Sequence, residues 1–229
     1  MRGTHRWWVA LSVLAIYAIL TVAMTWPMVL RLNTHFAGIS SDVWINPWAT
    51  WWTEKAIFEG ENLYYTDLMF HPHGVSLAFH SFSHVNALLE WLLRPVLGNL
   101  GAYNATVLMA HTLSGYGMFW LVRYLTGSLK GAFFAGLVFA FFPYRLAESP
   151  HPVIVSTQWI PLYLLFLLRL VREDRRRHIA PALVFFLLTA LTSWHLMLFS
   201  ILLSLAYLCH LILFERGLLS RTTVRNLLL

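Results

Sequence analysis

The feature that most constrains this chain is a set of long apolar runs, the first over residues 7–30 and the others following Gly101. A helix needs roughly 17 or more predominantly apolar residues to cross a bilayer. In hydrocarbon the backbone must satisfy its own polar groups, which leaves helices or closed barrels as the only spanning structures. The later runs fall at about 102–122, 131–144, 153–170, 179–193 and 195–214. The spacing predicts an all-α, polytopic transmembrane bundle of about six spans. Composition agrees: 59% of residues are hydrophobic and 11% are charged, where soluble domains carry roughly 25% charged residues. The run 7–30 is too long for a signal-peptide core and has no small-x-small cleavage site, so it reads as a retained span.

Charge sets the expected orientation. With six spans, the basic residues Arg2, Arg6, Arg123, Lys130 and Arg169, the cluster at 172–177, and Arg216, Arg221 and Arg225 all fall on one side. Only Arg31, Lys55, Arg94 and Arg145 fall on the other. The basic side is the cytoplasmic one, so the net charge of +6 belongs to topology and implies no nucleic acid. Both termini are then cytoplasmic, in an inner (plasma) membrane. Residues 31–101 form a large first extracytoplasmic loop, and 145–152 form a second. The stretch 84–97 has only 14 residues and carries Glu90 and Arg94; it reads as a helix lying in the interface. The whole of 1–229 reads as one transmembrane module. Its closing leucines, Leu227, Leu228 and Leu229, look like the opening of a further apolar segment, so a truncated carboxy terminus is expected. The lone Cys209 provides no disulfide framework.

The polar residues that could carry chemistry cluster in the two outer loops. Asp42 stands in Ser40-Ser41-Asp42-Val43-Trp44-Ile45-Asn46-Pro47-Trp48, shortly after the first span. A carboxylate at the rim of low dielectric can act as a general base toward a hydroxyl or as a ligand for a hard divalent ion. A solvated or helix-capping aspartate is the plainer alternative. Asn46-Pro47 looks like an N-cap followed by a first-turn proline, opening a helix that runs to about Phe58. Glu148 and His151 share the second loop, where they could assist catalysis or hold a metal. Arg145 at the same helix end suits a phosphate by its bidentate geometry, or else snorkels to headgroups. Trp44 and Trp48 could stack on a sugar ring or a polyprenyl unit, although tryptophans in such chains serve mainly as interfacial belts. His71-Pro72-His73 reads as a structural turn in preference to a metal motif. His111 is the ionisable residue nearest mid-span, a position that points into the bundle interior.

The chain also carries Pro72-x-Gly74, Ala102-Tyr103-Asn104 at the start of the second span, and Phe139-Ala140-Phe141-Phe142-Pro143-Tyr144-Arg145 closing the third. Gln158-Trp159-Ile160-Pro161-Leu162 follows. With the early aspartate in a large outer loop, this resembles the amino-terminal half of bacterial integral-membrane glycosyltransferases of the GT-C superfamily, which use polyprenyl-phosphate sugars. The resemblance is architectural and covers essentially the whole chain. It implies a cell-envelope transferase that moves a sugar from a polyprenyl-phosphate donor to an acceptor hydroxyl outside the membrane. Asp42 matches the aspartate that acts on the acceptor or holds a metal. Glu148 stands alone where some branches have paired acids, and a divalent cation such as Mg or Mn would fall to Asp42 and Glu148. Arg145, Trp44 and Trp48 would meet the donor's phosphate and sugar. The implied partners are that lipid-linked donor, the membrane lipids and a partner subunit or missing carboxy-terminal region. The rival classes are a transporter or lipid-carrier flippase, which should carry polar residues at mid-membrane, and a non-catalytic membrane subunit.

Overall fold

The structure, a computed structural model, describes residues 4–38 and 41–215, with backbone alone for 4–6, 41 and 42. Arg2, Arg216, Arg221 and Arg225 lie outside the described residues, as does the side chain of Arg6. The described chain is nearly all helix. Helix α1 (Thr4–Met24) is followed by a 3-10 turn at Met28–Arg31 and a second at Ser41–Trp44, which runs directly into α2 (Ile45–Glu59). A two-residue hairpin, β1 (Tyr65–Thr66) with β2 (Val75–Ser76), leads to α3 (His84–Thr126). Then come α4 (Leu129–Phe141), the short α5 (Pro143–Ala147) and α6 (Pro152–Val155), α7 (Trp159–Glu173), α8 (Ile179–Thr192) and α9 (Trp194–Phe214).

Among the described residues, five segments are long and apolar enough to cross a membrane: Trp7–Met24, His84–Thr126, Leu129–Ala147, Pro152–Glu173 and Trp194–Phe214. The expected run at 179–193 is helical as α8 but has 14 residues. At roughly 1.5 Å per residue that is about 21 Å, short of the roughly 30 Å of hydrocarbon. Helix α8 packs between α7 and α9, and Ser193 separates it from α9.

The bundle core forms where α1, α3 and α4 meet around Tyr17. Its ring is fully buried with Val13, Phe119, Ala132, Ala140 and Phe141, and its hydroxyl donates to the Phe133 carbonyl at 2.8 Å. Small residues make that approach possible. A Cβ on Gly136 would lie 2.5 Å from the Gly115 carbonyl oxygen and would also strike the Tyr17 hydroxyl. Ala132 and Ala140, one helical turn to either side, are wholly buried. This is the small-residue packing that brings membrane helices together where no hydrophobic effect drives them.

The described residues of 31–101 form regular structure. Helix α2 has a separate core made by Ala49, Trp52 and Ala56 against Leu77 and Phe82. Trp52 donates its indole N–H to the Leu63 carbonyl at 2.9 Å. The helix starts at Ile45 and not after Asn46, because the preceding 3-10 turn feeds straight into it. Asn46 is therefore a buried helical residue and not the cap. The stretch 84–97 is continuous with the expected second span in α3, yet the axis is interrupted. Gly98 has φ 71° and ψ 174°, a conformation essentially confined to glycine.

Candidate functional site

Three segments far apart in sequence are tied together at one end of the bundle. Asn104, fully buried on α3, accepts from the Ala37 N–H at 3.0 Å and donates to the carbonyls of Leu32 and His35, each at 2.8 Å. That clamp holds the strand of chain leading toward Asp42. Tyr103, next to it, donates its hydroxyl to the Pro150 carbonyl at 3.1 Å, which brings in the loop at 145–152. Asn86, near the start of α3, donates to Ser156 at 3.0 Å. All three ties are polar, buried and long-range, so they specify one arrangement of the loops.

Beside the last of these segments, at residues 151–154, lies a cavity of about 420 Å³. Ile45 and Asn46 from the first turn of α2 line it, with Ser81, His151, Val153 and the α8–α9 junction at Ser193 and His195. Asp42 sits in the 3-10 turn immediately before this wall; its side chain lies outside the described residues. His151 Nδ1 is 2.8 Å from a Glu148 carboxylate oxygen, so the two loop residues singled out in the sequence form one pair. His151 borders the cavity. His195 stacks on Trp194 at 3.7 Å between ring centroids. His195 is the histidine of the last outer turn expected from sequence; that it and Ser193 share a cavity wall with Asn46 follows only from tertiary contact.

Arg145 is not at the surface. It is 9% exposed, and its guanidinium donates to Ser114 Oγ at 2.7 Å, to the Ala110 carbonyl at 3.4 Å, and also to Thr157 and the Val155 carbonyl. These acceptors come from α3, α6 and the segment before α7. An arginine committed in this way cross-links helices, and its placement does not match the expected contact with a lipid phosphate at the headgroup surface. His111 is likewise consumed internally, between the Ala140 carbonyl at 2.9 Å and Ser149 at 3.3 Å. Trp48 is drawn into the loop core, its ring parallel to that of Trp52 at 6.2 Å and beside His80 at 5.3 Å. Trp44 remains 65% exposed. His71 and His73 form the turn that closes the β1–β2 hairpin, where Tyr65 donates to the His73 carbonyl at 2.8 Å.

A second cavity, about 360 Å³, lies on the other flank of α2. Trp44, Trp51, Phe36 and Tyr103 give it aromatic walls, and Glu54, Glu90 and Arg94 give it charge. Glu90 is 5% exposed and accepts from the Thr50 hydroxyl. Arg94 holds Glu54 at 2.6 Å.

The divalent cation implied by the resemblance would fall to Asp42 and Glu148. Glu148 is engaged with His151, and among the described residues no group of three or more His, Cys, Asp or Glu comes together. The described donors therefore do not form a cation cage of their own. No protein-family model matches this chain, and neither a curated protein nor a solved structure matches it.

Proposed function

We propose that this chain is the membrane module of a glycosyltransferase that moves a sugar from a polyprenyl-phosphate donor to an acceptor hydroxyl on the extracytoplasmic face of a bacterial inner membrane. In this reading α8 completes a six-helix bundle, both termini are cytoplasmic, and 31–101 is the outer loop. The observation that carries it is the cavity bordered by α2, the 145–152 loop and the α8–α9 junction, which adjoins the turn bearing Asp42. The polar groups gather at that end of the bundle. The cluster at 172–177 stands at the other end, where Arg177 and His178 pair with Glu173.

The chemistry is an inverting displacement. The acceptor hydroxyl gives its proton to the Asp42 carboxylate as its oxygen attacks the anomeric carbon. The bond between that carbon and the phosphate oxygen breaks, and its electron pair leaves with the lipid phosphate. His151, held by Glu148, and His195 are the groups able to donate hydrogen bonds to the departing phosphate oxygens. Arg145 is left out of this set and acts as a scaffold.

The test uses membranes expressing the chain and a radiolabelled polyprenyl-phosphate hexose, with label followed into endogenous acceptors. Asp42→Asn keeps the size of the side chain but cannot take the proton; general-base catalysis is worth about 10²–10⁴-fold, and a loss on that scale is expected. His151→Gln should slow transfer less severely. Transfer that is equal in wild type and Asp42→Asn removes Asp42 from the mechanism. Uptake of the labelled lipid across the bilayer without any transfer favours the flippase class.

A further inference from the structure

Helix α2 presents different faces to its two cavities. Trp44, Pro47, Thr50, Trp51 and Glu54 recur at the three- and four-residue spacing of one helical face, and all border the aromatic chamber. Ile45 and Asn46 turn toward the cavity that holds His151. Asp42 precedes both walls by two or three residues, which is within about 6 Å along a 3-10 turn at roughly 2 Å per residue. Two separate chambers thus adjoin one carboxylate-bearing turn, as a transfer between two substrates requires.

The chamber's chemistry narrows its occupant. Trp44 and Trp51 are 65% and 45% exposed and offer flat faces. Trp44 is braced edge-on by Phe36 at 4.9 Å, and Phe36 in turn by Tyr103 at 5.2 Å. Opposite them stand the carboxylates of Glu54 and Glu90, the Arg94 guanidinium and the Asn99 amide. An isoprenoid or acyl chain would strip water from the Asn99 amide and from the carboxylate oxygens that Arg94 and Thr50 do not hold, at a cost of a few kcal/mol each. A phosphate would have to compete with Glu54 for Arg94, and an organic cation would find only Glu90 unpaired by an arginine, a carboxylate that is 5% exposed and bonded to Thr50. A neutral ring bearing hydroxyls meets neither obstacle. Each hydroxyl donates one hydrogen bond and accepts others, so it can address carboxylate, amide and guanidinium alike, while its C–H face lies on an indole.

We propose that this chamber binds a carbohydrate ring, which makes the acceptor of the transfer a glycan hydroxyl and not a protein side chain or a lipid alcohol. The word acceptor rests on the function proposed above; the binding of a sugar rests on the chamber alone.

Saturation-transfer NMR on the purified chain in nanodiscs tests it. The probes are methyl glucoside, methyl galactoside, methyl mannoside and lactose, with choline chloride as a cationic probe. Signal is expected at the ring C–H protons of at least one saccharide. Trp51→Ala and Glu90→Gln should each weaken that saccharide by roughly two- to tenfold, the range expected for one aromatic contact or hydrogen bond. Phe79→Ala, which removes an aromatic residue that is 87% exposed and outside the chamber, should leave it unchanged. Thermal unfolding of each variant shows that the fold is retained, and Asn99→Ala serves if Glu90→Gln unfolds. No saccharide signal, signal indifferent to the chamber variants, or binding of choline alone overturns the proposal. Sugar binding without transfer sinks the enzyme reading and leaves the chamber standing. Transfer that persists unchanged in Trp51→Ala and Glu90→Gln does the reverse.

Discussion

At the scale of single residues, Arg145 shows how far a charge can be turned inward. Its guanidinium serves acceptors on α3, on α6 and before α7, so removing its fork strands several buried groups at once. Lysine is a point charge and cannot reproduce the planar fork. Arg145→Lys should therefore lose on the order of 2–3 kcal/mol, the cost of leaving buried acceptors unpaired. The expected readout is a lower unfolding midpoint in detergent, with Arg145→Ala lower still. An unchanged midpoint would mean that the cross-link contributes nothing.

His80 supplies a prediction in pH. It stands between Trp48 and Phe82 in the segment that joins α2 to α3, and burial pushes its pKa down. The unfolded chain, with a value of about 6.5, then binds the proton more readily than the folded loop does. The contribution is fully present above about 6.5 and is lost as pH falls below it toward the folded value. Tryptophan emission from the loop should report weaker packing at pH 5 than at pH 7.5. His80→Phe should flatten that dependence; a dependence that survives the substitution would place its origin elsewhere.

At the scale of elements, Gly98 interrupts α3 with a backbone that other residues adopt only under strain. Gly98→Ala should lower stability by about 1–3 kcal/mol, read as the thermal midpoint in detergent. A helix that straightens through this point at no cost would leave its midpoint untouched. The helices themselves were legible in sequence because the bilayer forces apolar length on them. The start of α2 was not legible, since a 3-10 turn and an α-helix look alike at the level of residue preference. The bounds of α8 were legible, since the run read at 179–193 ends where Ser193 breaks the helix; apolar content alone did not reveal that 14 residues fall short of the hydrocarbon thickness. Glu148 and His151 could be paired from sequence, being three residues apart in one loop. Glu90 and Arg94 carried no local sign of a site. They become one only when α2 brings Thr50 and Glu54 alongside, and no pattern within α3 encodes that.

At the scale of the whole molecule, the proposed orientation has a direct test. In a Cys209→Ser background, Phe79→Cys should react with an impermeant maleimide on intact cells, while Ser128→Cys should react only after permeabilisation. Both positions are exposed, so reactivity reports sidedness. The reverse result would put the cavities in the cytoplasm and defeat the proposed reaction.

The wall of the His151 cavity is drawn from residues as distant as Ile45 and His195. Its last contributors emerge from the ribosome some 150 residues after its first, once α9 has begun to form. A nascent chain halted before Ser193 would already hold the Asn104 clamp and the Tyr17 core, yet it would have no closed site. The wall of this cavity is thus completed last, after the helices that carry the Tyr17 core and the Asn104 clamp have been synthesised.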